Sequence, residues 1–308
     1  MARILVYAAD AAKYLPILHK VAPDMEIASA STRQEAMAHL DAEIVISWGL
    51  PADLASRMPN LRWVQWLGAG VDKVVRALPE DVALTRIVGA FSSLMTEHVF
   101  AFLLAIRRDV FKIRSMQQER RWQKVMAQPL RGQRLGVAGL GAIGREIVAV
   151  GRAFGMEVWG LSRSGAQAAI VDRHFLPNEA REFAAGVENL VLVLPATPAT
   201  DGLFGAREFQ AMPEGSILIN VGRGNALDED ALADGLRAGH PAFAQLDVFR
   251  EEPLPEKSPL WDLANCYLSA HCSGPSEFER VGAFAAENLR RYLADEALMG
   301  LVDRARGY

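Results

Sequence analysis

The chain has 308 residues, a formal net charge of −4 and 51% hydrophobic residues. This length exceeds the usual size of one domain, so we expect two domains. The charge offers no basic excess for nucleic acid or an anionic membrane, and neither partner is expected. The only cysteines are Cys266 and Cys272, which argues against a disulfide framework and a structural zinc site, and no metal site is predicted.

The N-terminal sequence MARILVYAAD runs directly into an apolar, strand-like stretch. It lacks the order of charged, apolar and small residues that is typical of a signal peptide. The longest apolar stretch, residues 99–106, is too short to span a bilayer. We therefore expect a soluble protein of the cytoplasm.

Short apolar runs alternate with amphipathic segments along the chain, a pattern typical of βα units around a parallel sheet. In the first third, this pattern predicts strands at 3–8, 26–30, 43–47 and 61–67, with helices at 11–22, 32–40 and 51–58. A second series predicts strands at 135–138, 158–161, 190–194, 216–221, 242–248 and 266–270. The first series predicts a small doubly wound domain, and the second predicts a Rossmann-type dinucleotide-binding sheet.

Residues 95–125, between the two series, are predicted to form one long helix that crosses from one domain to the other. Its basic stretch, from about Arg107 to Arg121, raises the possibility of nucleic-acid binding. We interpret this stretch instead as a solvated or subunit-facing helix surface. Residues 277–291 predict an amphipathic helix near the end of the chain.

A glycine-rich turn, Gly139-Leu140-Gly141-Ala142-Ile143-Gly144, follows the predicted strand 135–138 and opens a predicted helix at 145–154. Gly139 permits a tight turn, Gly141 lets a pyrophosphate approach the backbone, and Gly144 permits close packing of helix on strand. Free N–H groups at the helix start then face the phosphates. A tight turn without a ligand is the alternative, but the strand–turn–helix context favours a dinucleotide cofactor.

The end of the second strand of this series carries Ser162-Arg163-Ser164, where an NAD enzyme has an Asp or Glu for the ribose. A carboxylate would repel a 2′-phosphate, whereas a guanidinium and two hydroxyls can bind one. The alternative is that Arg163 is a solvated loop arginine. The sequence favours NADP(H) over NAD(H).

Three polar residues follow strands of the same predicted sheet: Arg223, Glu252 and His271. Because the carboxyl ends of parallel strands share one edge, we expect these groups to lie beside the glycine-rich turn. An arginine, a carboxylate and a histidine beside a nicotinamide make a site for a 2-keto acid. His98, next to Glu97 on an apolar helix face, is interpreted as a satisfied interior histidine.

The sequence resembles the D-isomer-specific 2-hydroxyacid dehydrogenases over essentially its whole length. The resemblance rests on the glycine-rich turn and on LGAGVDKV (67–74), NVGRG (220–224), LDVFREEPLP (246–255) and SAHCSG (269–274). SPLW (258–261) and the terminal VDRARGY are similar to members that reduce glyoxylate and hydroxypyruvate. The resemblance implies a Rossmann domain over 97–273, a smaller flavodoxin-like α/β domain over 1–96 and 274–308, and a homodimer.

The resemblance also implies a role for each site residue. Arg223 binds the substrate carboxylate and polarises the keto oxygen, His271 is the general acid, and Glu252 favours its protonated form. The implied substrate contacts are backbone N–H groups of Leu67, Gly68, Ala69 and Gly70, with Trp48 as either a pocket wall or a core residue. The implied cofactor contacts are Asp247 and Thr96 at the nicotinamide, and Leu194, Pro195 and Val221 along the dinucleotide.

Two residues depart from the family pattern, because Ala270 and Cys272 flank His271 where many members have a proline and an apolar residue. This departure bears on the shape of the pocket and therefore on the order of substrate preference. Cys272 is not interpreted as a nucleophile, because keto reduction needs no covalent intermediate. Reduction of small 2-keto acids with NADPH is the leading hypothesis. The alternatives are a reductase of bulkier, phenylpyruvate-like acids and a dinucleotide-sensing regulator, although a regulator does not need Arg223, Glu252 and His271 together.

Overall fold

The computed structural model describes residues 3–308. The chain divides into two compact units, one formed by residues up to Phe91 together with Ser276–Tyr308 and the other by Ser92–Pro275. The boundaries expected from the sequence fall after residues 96 and 273. Over residues 3–308, no helix combines the length and the apolar character needed to cross a membrane.

The first unit contains a parallel sheet of five strands in the order β2-β1-β3-β4-β5. Its strands are β1 (Ile4–Tyr7), β2 (Ile27–Ala30), β3 (Ile44–Ser47), β4 (Trp63–Trp66) and β5 (Ala83–Thr85). The apolar runs of the sequence are buried here, and Leu5, Val45 and Val64 belong to one core with Leu54. The predicted strands are confirmed, while β5, which has only three residues, was not predicted.

The second unit contains a parallel sheet of seven strands in the order β12-β11-β10-β9-β6-β7-β8. Its strands are β6 (Arg134–Ala138), β7 (Glu157–Leu161), β8 (Arg173–Phe175), β9 (Asn189–Leu192), β10 (Ile217–Asn220), β11 (Phe243–Leu246) and β12 (Cys266–Leu268). The chain reverses direction across the sheet between β6 and β9, as in a doubly wound dinucleotide-binding fold. The predicted α/β class, with two doubly wound parallel sheets, is confirmed.

Helices cover the crossovers of both units. The α-helices are α1 (Leu15–His19), α2 (Arg33–Ala36), α3 (Ala52–Ala55), α4 (Ser92–Arg107), α5 (Val110–Gln118), α6 (Ala142–Ala153), α7 (Ala180–Ala185), α8 (Ala206–Phe209), α9 (Glu229–Ala238) and α10 (Phe278–Leu293). Single 3₁₀ turns span Ala11–Tyr14, Met37–His39, Gly165–Ile170, Pro177–Glu179, Gly224–Ala226 and Pro259–Asp262.

The predicted single helix over 95–125 is wrong. Helix α4 ends at Arg107, and Asp109 takes a left-handed backbone conformation (φ 55°) before α5 begins, so the two helices are separate. Both helices belong to the second unit. The chain after α5, from 119 to 125, is not helical.

The interpretation of Arg107 as part of a solvated surface is wrong. Its side chain is buried and donates from Nε and Nη2 to Asn189 Oδ1, at 2.9 and 2.7 Å, and from Nη1 to Gly215 O at 3.0 Å. Burial lowers its pKa to about 10. Arg107 therefore ties α4 to the start of β9, while Arg114 and Arg121 are exposed as predicted.

Candidate active site

The glycine-rich turn lies between β6 and α6, and close contacts explain two of its three glycines. Gly139 has φ 107°, and a methyl group there would lie 2.6 Å from Val193 O. A methyl group at Gly144 would lie 1.9 Å from Gly139 O, so α6 begins directly against the turn. Only glycine fits at these two positions.

Gly141 is different, because a methyl group there would meet no atom of residues 3–308 within 4 Å. It is exposed and forms the N-cap of α6, a helix of 12 residues whose first N–H groups have no partner inside the helix. Ala142 and Ile143 follow half-exposed, while Leu140 packs against Gly160 on β7. An open backbone over a helix N-terminus fits a pyrophosphate, and the residues present therefore fit a dinucleotide.

The next turn, after β7, is built from hydroxyl groups. Ser162 Oγ donates to Ser164 O at 2.8 Å and lies 2.8 Å from Nε2 of His174 on β8. Arg163 and Ser164 are exposed. The turn carries no carboxylate, which suits a phosphorylated ribose, and it includes one residue that the sequence analysis did not single out, His174.

The turn after β10 holds Arg223. The buried side chain of Asn220 closes this turn, because its Oδ1 accepts from Gly222 N and its Nδ2 donates to Arg223 O, both at 3.1 Å. The Arg223 guanidinium donates from Nη1 to Gly222 O at 2.9 Å. Sequence reasoning missed Asn220, although an Asn that ends a strand is a common turn-closing residue.

Two glycines of this turn touch the neighbouring strand ends. A methyl group at Gly222 would lie 2.6 Å from Leu194 N, and one at Gly224 would lie 1.9 Å from the Phe249 carbonyl carbon. Leu194 and Val221 are buried and Pro195 is half-buried, so all three remain predicted cofactor contacts. The ends of β9, β10 and β11 are therefore packed backbone against backbone.

His271 and Glu252 are brought together by β11 and β12. Nδ1 of His271 lies 2.8 Å from Glu252 Oε2, while Glu252 Oε1 accepts from Phe249 N at 3.0 Å. A carboxylate only accepts, so Nδ1 of His271 must donate to it. This leaves Nε2 as the nitrogen that can exchange a proton with a substrate.

Asp247 holds the loop that carries His271. Its backbone carbonyl accepts from His271 N at 2.8 Å, and its carboxylate accepts from Ser269 Oγ, Cys272 N and Ser273 N at 2.6 to 2.9 Å. His271 has φ 50°, an uncommon conformation for a residue with a side chain. The Asp247 bonds stabilise this conformation.

The same carboxylate has no exposed surface. Burial by itself raises the pKa of Asp247, but the hydrogen bonds from Ser269, Ser273 and Cys272 together leave the pKa below its ordinary value. Asp247 is therefore ionised at neutral pH. The predicted contact with the nicotinamide stays a prediction, and the geometry gives Asp247 a structural role in addition.

Two residues of α4 lie in the interior of this unit. Thr96 is buried, and within residues 3–308 its Oγ1 has no hydrogen-bond partner, so this hydroxyl is available to a ligand. His98 is half-buried beside Gln245, and burial is the main reason that its pKa lies below the ordinary value. The Gln245 side chain acts in the opposite direction, as a hydrogen-bonding partner of the ring, so the interpretation of His98 as a satisfied interior histidine stays a prediction.

The predicted substrate loop after β4 belongs to the first unit. Leu67 N donates to Ser47 O at 2.9 Å within the sheet, so the prediction that this N–H binds a carboxylate is wrong. Gly68 is packed against Trp66 and Trp48, while Ala69 and Gly70 are half-exposed. These three remain predicted carboxylate contacts.

Trp48 and Arg86 flank this loop in the first unit. Trp48 is half-buried, contacts Gly68 and donates from Nε1 to Tyr14 Oη at 3.3 Å. Arg86 donates to Ala69 O at 3.4 Å, and burial lowers its pKa. Arg86 is a cation beside the loop that the sequence analysis missed, since no motif marks it.

The two cysteines are free thiols. Cys266 lies on β12, and burial raises its pKa to about 12, so it is a protonated thiol at neutral pH. Cys272 is exposed, and its backbone N–H donates to Asp247. Nδ1 of the adjacent His271 is bonded to Glu252 and so does not serve Cys272 as a base.

A doubly wound sheet with an open glycine-rich turn and a carboxylate-bound histidine on the same edge defines a dinucleotide-dependent enzyme that moves a proton. Comparison with known proteins agrees with this class. The sequence profile of the D-isomer specific 2-hydroxyacid dehydrogenase, NAD binding domain, matches residues 100–273. The glyoxylate/hydroxypyruvate reductase A of Yersinia enterocolitica is 30% identical over 275 residues, which cover 87% of this chain and 88% of that protein.

Solved structures extend the comparison to nearly every residue. The crystal structure of a D-isomer specific 2-hydroxyacid dehydrogenase family protein from Aeromonas salmonicida has a TM-score of 0.90 and 36% identity, covering 98% of this chain and 99% of that one. A D-isomer specific 2-hydroxyacid dehydrogenase from Xanthobacter autotrophicus, crystallised with NADPH and MES, has a TM-score of 0.90 and 32% identity, with each chain covered completely. The chain belongs to the D-isomer specific 2-hydroxyacid dehydrogenase family, and it is an enzyme of that type with a nicotinamide-dinucleotide-binding domain.

Proposed function

We propose that this enzyme reduces small 2-keto acids with NADPH, converting glyoxylate to glycolate and hydroxypyruvate to D-glycerate. The observation that carries the proposal is the 2.8 Å contact between His271 Nδ1 and Glu252 Oε2, on the sheet edge that also holds Arg223. The similarity to the glyoxylate/hydroxypyruvate reductase A of Yersinia enterocolitica supports the substrate class.

The residues of the sheet edge supply the polar chemistry of the reduction. The Arg223 guanidinium binds the substrate carboxylate and draws electron density toward the 2-keto oxygen, through charge-assisted hydrogen bonds. His271 Nε2 donates a proton to that oxygen as the carbonyl carbon is reduced. Glu252 stabilises the imidazolium before the transfer and fixes the ring so that Nε2 faces the substrate. NADPH, when bound, supplies the hydride.

The cofactor contacts proposed for this chain follow the sheet edge. Gly141 and the start of α6, where the backbone is open, would hold the pyrophosphate of the dinucleotide. Thr96 offers its buried hydroxyl to the nicotinamide end. Leu194, Pro195 and Val221 provide the apolar lining, and Gly68, Ala69 and Gly70 are the proposed backbone contacts of the substrate carboxylate.

The preference for NADPH rests on the turn after β7. Ser162, Arg163 and Ser164 offer two hydroxyls and a guanidinium where a ribose-binding carboxylate would otherwise stand. The related enzyme from Xanthobacter autotrophicus was crystallised with NADPH, which supports the same choice.

We also propose a homodimer in the cytoplasm. The helix α5 and the chain after it expose large apolar side chains: Val110, Phe111, Ile113, Trp122 and Met126. A run of exposed apolar residues of this kind marks a surface that associates with another protein, and a second copy is the occupant we propose. The two free thiols fit a reducing compartment. Sedimentation of the purified protein would show a monomer if the dimer proposal is wrong.

The deciding experiment for the activity is a panel of purified-enzyme assays that follow absorbance of the reduced nicotinamide. Glyoxylate, hydroxypyruvate, pyruvate and phenylpyruvate are each tested with NADPH and with NADH. We expect the highest kcat/KM for glyoxylate or hydroxypyruvate with NADPH. A preference for phenylpyruvate would replace the small-acid proposal, and cofactor binding without turnover of any acid would indicate a sensor.

A further inference from the structure

The turn after β7 includes an imidazole from the neighbouring strand. His174 lies on β8, where it pairs with Gly160 of β7, and its Nε2 is 2.8 Å from Ser162 Oγ. The Ser162 hydroxyl donates its single hydrogen to Ser164 O, also at 2.8 Å. The Ser162 oxygen must therefore accept from His174, and His174 Nε2 carries a proton.

We infer that His174 is part of the subsite that recognises the 2′-phosphate of NADPH, and that its protonation makes NADPH affinity depend on pH. This inference rests on the proposed NADPH preference. It adds to the turn Ser162-Arg163-Ser164 a titratable group that lies 10 residues beyond it in sequence, at position 174, and beside it in the fold.

The hydrogen-bond chain gives His174 a direct effect on a bound phosphate. A hydroxyl that accepts from an N–H donor becomes a stronger donor itself, because hydrogen bonds in a chain polarise one another. When a phosphate oxygen is present, the Ser162 hydrogen can rotate from Ser164 O toward that oxygen. The resulting chain runs from His174 N–H to Ser162 O–H to phosphate, and it is strongest when the imidazole is positively charged.

The charged side chains near His174 belong to few residues. The residue opposite it on β7, Gly160, and the 3₁₀ turn Gly165–Ile170 bear no charge. Arg163 lies in the turn itself, and Asp172 and Arg173 precede His174. The last two form ion pairs outside this turn, Asp172 with Arg152 and Arg173 with Glu182. Carboxylates and guanidinium groups keep their charge in the neutral range, whereas an imidazole is the kind of side chain that can change charge there.

The sign of the pH effect follows from linkage. A phosphate with nearly two negative charges favours the protonated imidazole, so binding of NADPH and protonation of His174 reinforce each other. NADPH affinity is therefore highest at the acid end of this range and falls as the pH rises. NADH has no 2′-phosphate, and its affinity should not follow the same course.

The test uses the full-length enzyme and two substitutions at one position. His174→Gln keeps a side-chain N–H for Ser162 but cannot become charged, and His174→Ala removes both. His19→Gln, at an exposed histidine of the first unit, is the matched control. Dissociation constants of NADPH and NADH are measured from nicotinamide fluorescence at pH 6.5, 7.5 and 8.5.

We expect His174→Gln to weaken NADPH binding about five- to tenfold at pH 6.5, because the charge is lost while the N–H contact to Ser162 is kept, and to flatten its pH dependence. NADH binding should stay unchanged, which also shows that the variant is folded. Comparison with the wild type cancels the titration of the phosphate itself, because both proteins meet the same ligand.

An NADPH/NADH ratio and a pH dependence equal to those of the wild type, in both variants, would overturn the inference. Wild-type enzyme that binds NADH as tightly as NADPH at every pH would instead overturn the cofactor preference on which it rests. The two outcomes can be distinguished, because the first is observed in the variants and the second in the wild-type enzyme. If His174→Ala does not bind NADH, the outcome is taken from His174→Gln alone.

Discussion

The two halves of the seven-stranded sheet use opposite means to build a site on the same edge. At β6 the turn is made of backbone, with Gly139 and Gly144 too crowded for a methyl group and Gly141 left open. At β10, β11 and β12 the edge is made of side chains, namely Arg223, Glu252 and His271. A pyrophosphate is the same in every dinucleotide, so a fixed backbone can bind it. Reduction of a carbonyl needs a side chain that can give up a proton. The two halves should therefore respond differently to substitution.

The sharpest contrast comes from His271→Asn. Loss of the proposed general acid should lower kcat by roughly 10²- to 10⁴-fold, the usual contribution of a positioned acid. The dissociation constant of NADPH should stay within about twofold, because the glycine-rich turn is untouched. Steady-state kinetics and fluorescence titration measure the two quantities, and a comparable loss in both would erase the distinction between the halves.

Gly144→Ala should have the next largest effect, on the fold itself. The added methyl group would lie 1.9 Å from Gly139 O, so the start of α6 must move. We expect a loss of roughly 1–3 kcal/mol in the free energy of unfolding, as for other overpacked sites. Denaturant titration measures it.

Gly141→Ala is the matched control for this prediction. Its methyl group would meet no protein atom within 4 Å, so the unfolding free energy should change little while dinucleotide binding weakens. Equal destabilisation by the two alanines would show that the turn has no special crowding at Gly144.

Glu252→Gln tests how the side-chain half works. The amide still reaches His271 but carries no charge, so the imidazolium loses its stabilisation and kcat should fall about tenfold or more. A pH profile of kcat tests whether the charge at position 252 matters to the reaction. A pH profile of kcat identical in shape to that of the wild type would mean that Glu252 only positions the ring.

Arg163→Ala should have the smallest effect, confined to the cofactor. Removal of one guanidinium from the turn after β7 should weaken NADPH about tenfold and leave NADH unchanged. Binding titrations with both cofactors measure this selectivity. If the ratio of the two dissociation constants does not move, the turn recognises the 2′-phosphate without Arg163.

The sequence predicted the buried strands and the polar residues that follow them. Short apolar runs such as those of β3 and β9 indicate a strand that is covered on both faces of a parallel sheet. The residues that follow such strands lie at the carboxyl edge of the sheet. The three-residue strands β5 and β8 were not predicted, although β12, of the same length, was. His174 lies on β8, and for that reason no strand pattern marked it. Its link to Ser162 depends on strand pairing across the sheet, which no local pattern encodes.

Other misses have the same origin in tertiary contacts. The basic stretch around Arg107 predicts a surface residue. In the structure its buried guanidinium donates to the carbonyl oxygens of Gly215 and Glu188 and to the side-chain oxygen of Asn189. The Leu67 N–H donates to Ser47 O within the sheet, and the family motif does not show this bond. The helix break at Asp109 follows from a left-handed residue in a segment whose composition is helical throughout.

The close packing at Gly222 and Gly224 has a consequence for how such an enzyme can change. Three successive strand ends touch through main-chain atoms, with no room for a methyl group between them. The backbone that carries Arg223 therefore cannot move unless the neighbouring strand ends move as well. New substrate ranges must then arise by exchanging side chains that surround the acid, such as Ala270 and Cys272, while the arginine keeps its place. Directed evolution libraries that spare 220–224 and vary those flanking positions should retain far more active members than libraries that do the reverse.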